Sequence, residues 1–278
     1  MLATLLIVFR EVIEAGLIVG IVLAATQGVP RRGLWVTYGV IAGFLGACLV
    51  AAFAGEIGSL FAGSGQEIFD ASILLLAVCM LTWHNVWMAG HGRQMAQEMK
   101  SMGAAVAAGQ KTLAALAIVV GVAVLREGSE VVLFLYGIAS AGGTSQSAML
   151  IGGALGLAAG AGVSALMFFG LLAIPAGRLF SVTAWLITLL AAGMAAQAIL
   201  FLQQAGYIQI LQNTVWDTSW LLKEDSIAGR LLHTLVGYND APNGAQLIVY
   251  ISTIVVIMGL TRWEHARHPR GNVIPKAA

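Results

Sequence analysis

Two short segments of the chain repeat one arrangement of arginine and glutamate. Both read R-E-x-x-E, and their charged residues are Arg10, Glu11 and Glu14 in the first segment and Arg126, Glu127 and Glu130 in the second. On an α-helix, glutamates three positions apart share a face, and an arginine four positions before the second glutamate can pair with it. Each motif therefore neutralises one carboxylate and leaves another available. Clustered carboxylate oxygens suit a hard, multiply charged cation, whereas thiolates and imidazoles suit softer ions, so the spacing predicts a metal-ion site.

Long apolar segments surround both motifs. Hydrophobic residues make up 59% of the 278-residue chain and charged residues only 10%, whereas soluble domains contain about 25% charged residues. The mean hydropathy is +0.88, and a membrane span needs about 20 mostly apolar residues. The sequence therefore predicts an all-α polytopic membrane protein with seven transmembrane helices, near Leu2–Ala25, Leu34–Ala54, Ile68–Ala89, Leu113–Ala139, Ala148–Ile174, Leu179–Leu202 and Leu247–Trp263.

The six charged residues of the motifs fall near the centres of the first and fourth predicted spans. An ionised side chain at the middle of a bilayer costs about 2.5–3.5 kcal/mol on insertion scales, so such residues are rare unless they have a function. One alternative is that each Arg–Glu pair only locks the two spans together. A lock needs one glutamate per arginine, so the second glutamate of each motif favours a site for a transported cation.

The motifs belong to a longer internal repeat. They lie 116 positions apart, and Gly39 and Gly43 in the second span are matched by Gly152 and Gly156 in the fifth. Because each unit has three spans, an odd number, the second unit is predicted to be inverted relative to the first, with the transported species bound near the bilayer midplane. The predicted parts are a first three-helix repeat at 1–90, a cytoplasmic amphipathic connection at 91–111, a second three-helix repeat at 112–204, an extracytoplasmic loop at 205–246, and a seventh span with a cytoplasmic tail at 247–278.

The loops predict the orientation of the chain in the membrane. Cytoplasmic loops carry the excess of lysine and arginine, and an N-terminus outside leaves only Lys223 and Arg230 on the outer side. We therefore expect the N-terminus outside and the C-terminus inside. The net charge of +1 comes without the concentrated basic surface of a nucleic-acid binder, so we do not expect the chain to bind nucleic acid. Its expected surroundings are membrane lipids.

At the two motifs the sequence resembles the oxidase-dependent iron transporter family, the iron permeases of fungi and bacteria that repeat R-E-x-x-E in the first and fourth spans. The resemblance extends through residues 70–88, 191–206 and 211–238. It implies a permease that imports Fe³⁺ or Fe²⁺ across the plasma (inner) membrane, with iron as the transported substrate and no permanently bound cofactor. The compact chain and its short loops suggest a bacterial origin. The resemblance assigns the metal site to Glu11, Glu14, Glu127 and Glu130, with Arg10 and Arg126 as supporting charges. It also implies an extracytoplasmic partner that oxidises or delivers iron, either a cupredoxin-like or a periplasmic iron-binding protein.

Three further residues are candidates for an ion entrance or exit. Glu67 and Asp70 begin the third span on the outside, where acidic side chains concentrate cations. His84 lies 14 residues after Asp70, about 21 Å along a helix, and is therefore predicted towards the cytoplasm. The alternatives are ordinary solvated carboxylates at a span terminus and, for His84, a hydrogen bond to a neighbouring helix.

Two other functions use the same residues. A permease for another divalent metal, such as manganese or lead, would employ the same carboxylates. A membrane-embedded enzyme is the third hypothesis, but the sequence contains neither H-E-x-x-H nor G-x-S-x-G. The inverted repeat favours transport, because alternating access uses two equivalent halves, and the chain is therefore predicted not to be an enzyme.

Overall fold

The chain folds as a helical bundle in a computed structural model that describes residues 1–60, 66–140, 145–170, 176–224 and 226–267. In those ranges the regular elements are eight helices: α1 (Leu2–Ala25), α2 (Arg32–Leu60), α3 (Gln66–Ala107), α4 (Leu113–Ser140), α5 (Gln146–Phe168), α6 (Ala176–Gln204), α7 (Ile227–Val236) and α8 (Gly244–Arg267). The all-helical prediction is confirmed for these residues.

Five of the described helices, α2, α3, α5, α6 and α8, are long and apolar enough to cross a membrane. Their outward faces expose large aliphatic side chains, for example Leu49 of α2, Leu150 of α5 and Val255 of α8. Contiguous apolar surface of this kind is rare on soluble proteins and is expected where lipid is the solvent. Helices α1 and α4 are of similar length, but each carries three charged residues near its centre.

Helix α3 is longer than a membrane span. The sequence predicts a separate connection at 91–111, whereas the structure continues α3 without a break to Ala107. Residues 93–107 are mostly glutamine, methionine, alanine, glutamate and lysine, all good helix formers, and contain no proline. A helix of 42 residues is about 63 Å long, about twice the thickness of the hydrocarbon core, so its C-terminal part extends beyond the membrane.

Helix α7 lies within residues 205–246, where the sequence predicts an extracytoplasmic loop. Ser226 caps its N-terminus, and Gly237 ends it in the left-handed region with φ +67°. The backbone of Gly237 packs directly on Gly193 of α6, and Tyr250 of α8 donates a hydrogen bond to the carbonyl of Val236. The C-terminal end of α7 is therefore packed inside the bundle, against helices that cross the membrane.

Helices α1 and α4 cross in opposite directions. The start of α1, at Ile7, shares one buried apolar cluster with Phe134 near the end of α4. The end of α1, at Val22, shares a second cluster with Leu116 near the start of α4. Since the two motifs occupy the middle of each helix, they lie between these apolar clusters.

Glycines set the packing of two further helices on this crossing pair. A Cβ atom at Gly43 of α2 would lie 2.6 Å from the carbonyl oxygen of Gly121 in α4, and one at Gly156 of α5 would lie 2.6 Å from that of Leu5 in α1. Small residues let helix backbones approach this closely. Helices α2 and α5 therefore hold α4 and α1, respectively, from the outer side of the bundle.

Candidate metal-ion site

The crossing of α1 and α4 brings the two motifs together in the protein interior. Glu11, Glu14 and Glu127 are at most 3% exposed, and Glu130 is 12% exposed. Carboxylates at this depth are costly unless they are paired or bind a cation. The structure therefore concentrates negative charge at one place between two apolar clusters.

Each arginine pairs with the second glutamate of its own motif. The Nε atom of Arg10 lies 2.8 Å from Oε1 of Glu14, and the Nε atom of Arg126 lies 3.2 Å from Oε1 of Glu130. Both pairs have the i, i+4 spacing. Their surroundings differ, because Arg10 is only 3% exposed whereas Arg126 is 36% exposed and lies 4.3 Å from the ring centroid of Trp87.

His84 of α3 lies among the carboxylates. Its Nε2 atom is 3.4 Å from Oε2 of Glu14 and 3.9 Å from Oε2 of Glu11, and its Nδ1 atom contacts Glu130. The sequence predicts this histidine at a separate cytoplasmic exit, or in a hydrogen bond to a neighbouring helix. The structure places it inside the glutamate cluster, where it lies close to residues of α1 and α4. The sequence could not predict this, because spacing along α3 does not show where that helix meets α1 and α4.

Four side chains could hold one ion together. Glu11, His84, Glu127 and Glu130 each offer a ligand atom, and these four atoms all lie within 4.8 Å of one another. Both carboxylate oxygens of Glu11, one of Glu127 and both ring nitrogens of His84 are buried without a well-formed hydrogen bond to any described residue. Buried polar atoms normally find a partner, and a cation bound among them would supply one.

The two predicted entrance residues lie elsewhere. Glu67 is exposed and Asp70 is half-buried, both in the first turns of α3. Asp70 lies about 21 Å along the helix from His84, so the structure does not bring these carboxylates into the cluster. Their role at an entrance stays a prediction.

A cavity of about 760 Å³ opens beside the cluster, between α1, α2, α4 and α5. Glu11 and Glu127 line it together with apolar side chains such as Val19, Phe44 and Val124. Charges beside such low-dielectric walls interact more strongly than they would in water. The two carboxylates that line the cavity are therefore suited to attract a cation.

The chain is similar to known proteins over most of its length. The sequence profile described as the iron permease FTR1 family matches residues 1–261. The chain is 31% identical over 262 residues to the protein named ferrous iron permease EfeU of Escherichia coli O6:H1, covering 92% of this chain and 93% of that protein. It is 30% identical over 259 residues to the protein of the same name from Yersinia pestis, covering 92% and 91%. No solved structure matches the chain.

Proposed function

The chain belongs to the iron permease FTR1 family, and on this premise we propose that it imports ferrous iron through the carboxylates of Glu11, Glu14, Glu127 and Glu130. The family is one of transporters and not of enzymes, and iron is the substrate. The bacterial relatives and the five helices long and apolar enough to cross a membrane make this chain a multi-pass protein of the bacterial plasma membrane. Arg10 and Arg126 are the supporting charges of the proposed site.

One observation carries the assignment of the site: four carboxylates from two helices converge in the interior together with only two guanidinium groups. With His84 neutral, this set has two formal negative charges in excess. A single divalent cation would neutralise it. A buried charge that lacks compensation is unfavourable, so the excess supports a site that binds a cation.

The oxidation state proposed is Fe²⁺. The relatives compared above are named ferrous iron permeases. The charge balance favours the same ion, because Fe²⁺ would leave the site neutral whereas Fe³⁺ would leave one buried positive charge. Ferric iron would then have to be reduced before transport.

The proposed architecture is an inverted 3+3 repeat, α1–α3 and α4–α6, with α8 as the seventh span. A Cβ atom at Gly156 would meet the carbonyl of Leu5 and the side chain of Val8, and one at Gly43 would meet the carbonyl of Gly121 and the side chain of Val124. These partners in α1 and α4 lie 116 positions apart, the same offset as the two motifs. The matching contacts support a two-fold relation between the halves.

The proposed orientation has the N-terminus outside and the C-terminus inside. The segment around α7 then lies towards the extracytoplasmic side, where a protein that delivers Fe²⁺ would complete the pathway.

Transport by purified protein in proteoliposomes tests the proposed function. Radiolabelled Fe²⁺ is supplied without oxygen, and Fe³⁺ is supplied in parallel with and without a reductant. We expect saturable uptake of Fe²⁺, and uptake of Fe³⁺ only when the reductant is present. Uptake of Fe³⁺ without the reductant contradicts the proposed oxidation state, and no uptake of either ion contradicts iron transport.

A further inference from the structure

His84 is an unusual residue for its position. It lies in the membrane-crossing part of α3 and is only 1% exposed. Carboxylate oxygens surround both ring nitrogens. An imidazole in such surroundings is suited to binding the ion and not only to filling space.

The two ring nitrogens of His84 have different neighbours: Nε2 lies near Glu14, and Nδ1 contacts Glu130. Glu14 is held by Arg10 at 2.8 Å, and its second oxygen lies 3.4 Å from Nε2 of His84. Nδ1 faces Glu130 on the other side of the ring. The four ligand atoms that lie within 4.8 Å of one another come from His84, Glu11, Glu127 and Glu130, and Glu14 is not among them.

We propose that His84 binds the transported ion directly through Nδ1, beside Glu11, Glu127 and Glu130, and that this nitrogen selects Fe²⁺ against Mg²⁺, Ca²⁺ and Mn²⁺. The proposal rests on the transport function proposed above. Nε2–H of His84 donates to Glu14 in the occupied site, and Glu14 is in turn held by Arg10. A second hydrogen bond of this kind fixes the tautomer and the ring orientation of a metal-binding histidine.

The selectivity follows from the preferences of the ions. Sites built from carboxylate, carbonyl and water oxygens suit Mg²⁺, Ca²⁺ and Mn²⁺, whereas imidazole suits iron, zinc and copper. Four carboxylates alone would therefore favour hard ions as much as iron. Replacing one of those oxygen ligands by nitrogen shifts the preference towards Fe²⁺, although it does not exclude Zn²⁺ or Cu²⁺.

The coordination is tested by electron paramagnetic resonance with Cu²⁺ as the probe. Protein labelled with [¹⁵N]histidine and retaining only His84, with the other four histidines changed to glutamine, is compared with the same protein carrying His84→Gln. We expect coupling from one directly bound ¹⁵N nucleus in the first protein and none in the second. Absence of the coupling from the protein that retains His84 overturns the proposal.

Selectivity is tested by uptake of Fe²⁺ and Mn²⁺ into proteoliposomes. We expect His84→Gln to lower the ratio of Fe²⁺ to Mn²⁺ uptake about tenfold, and His84→Asp to shift it further towards Mn²⁺. His265→Gln, at an exposed site near the end of α8, is the matched control and should leave the ratio unchanged. Size-exclusion profiles confirm that each variant is folded.

The same assay separates the two proposals. If Glu127→Gln abolishes uptake of both ions while His84→Gln leaves the ratio unchanged, the carboxylate site stands and the role of His84 is wrong. If Glu127→Gln transports both ions at wild-type rates, the proposed transport site itself is wrong.

Discussion

Glu11 and Glu127 lie farther from the arginine of their own motif than the second glutamate does. The shortest contact of Glu11 with Arg10 is 3.7 Å, and that of Glu127 with Arg126 is 4.0 Å. Neither distance is that of a hydrogen bond. These two carboxylates are therefore less tightly paired with arginine than the second glutamates are, and they are also the two that line the cavity.

The variants Glu11→Gln and Glu127→Gln test this difference. Each keeps the size of the side chain but removes one ligand charge, so we expect iron uptake to fall by more than about tenfold while the protein still inserts. Glu98→Gln is the control, because Glu98 is exposed on the part of α3 beyond the membrane. Wild-type uptake by both site variants would contradict the proposed site.

The arginines offer a second test, through substitution by lysine. Arginine binds carboxylates with a planar fork that lysine does not reproduce. Arg10 is buried and close to both glutamates of its motif, whereas Arg126 is partly exposed. We therefore expect Arg10→Lys to reduce uptake more than Arg126→Lys in the same transport assay. The reverse order would show that burial does not decide the contribution of these charges.

The sequence was sufficient to predict the charged residues of the candidate site, because glutamates and arginines inside apolar spans are conspicuous and their spacing fixes one helix face. His84 was recognised as a candidate, but its proximity to the glutamates of the two motifs was not predicted. Its position depends on how α3 packs on α1 and α4, which is a long-range property that spacing along one helix does not contain.

At the scale of the helices, close backbone contact explains the pairing of α5 with α1. A Cβ atom at Gly156 would lie 2.6 Å from the carbonyl oxygen of Leu5, a backbone atom that cannot move alone, whereas no described atom lies within 4 Å of the corresponding position at Gly162. We expect Gly156→Ala to destabilise the protein by about 1–3 kcal/mol, and Gly162→Ala to be tolerated. Thermal stability in detergent, followed by size exclusion, measures both variants. Equal stability of the two would contradict the packing.

His233 of α7 and Glu224, which precedes that helix, form a pair that should respond to pH. The Nδ1 atom of His233 lies 3.1 Å from Glu224, and this carboxylate raises the pKa of His233 above its usual value. Because the pKa is raised, the charged pair stabilises the folded segment fully below about pH 6.5, the pKa of an unperturbed histidine. This stabilisation is lost as the pH rises through the pKa that His233 has in the folded protein.

Hydrogen exchange of residues 226–240 measures this effect, after correction for the intrinsic pH dependence of exchange. We expect greater protection at pH 5.5 than at pH 8.5 in the wild type, and a smaller difference in Glu224→Gln. A wild-type difference that survives unchanged in Glu224→Gln would assign it to another group.

Hydropathy was sufficient to predict the five described helices that are long and apolar enough to cross a membrane, because a span of about 20 apolar residues has few alternatives. The seven-span count stays a prediction. Hydropathy did not predict α7, whose ten residues are too few for a span and are set in a polar segment. Hydropathy also placed the end of the third span near residue 90, although α3 continues to Ala107. A change in polarity marks where a helix leaves the membrane and not where the helix ends.

At the scale of the whole molecule, the direction of each helix follows from its contacts. Helix α2 runs parallel to α4, because Gly39 contacts Ala117 and Gly43 contacts Val124. Helix α5 runs parallel to α1 by the same kind of contact, from Gly152 to Thr4 and from Gly156 to Val8.

Because α1 and α4 cross in opposite directions, α2 and α5 must also be opposed. An inverted repeat requires this relation, which would bring the two motifs to one depth from opposite sides of the membrane.

The last prediction concerns the side of the membrane at which α2 and α5 begin. Single cysteines replace Gly33, at the start of α2, and Ser145, just before α5, in a chain whose exposed Cys48 and Cys79 are changed to alanine. An impermeant thiol reagent applied to intact cells should label the cysteine at 145. The cysteine at 33 should react only after the membrane is opened. Gln97→Cys, on the part of α3 beyond the membrane, is the control and should behave like the cysteine at 33. Labelling of positions 33 and 145 from the same side would make the two halves parallel, and the carboxylates of the two motifs would then lack the two-fold relation that places them at one depth.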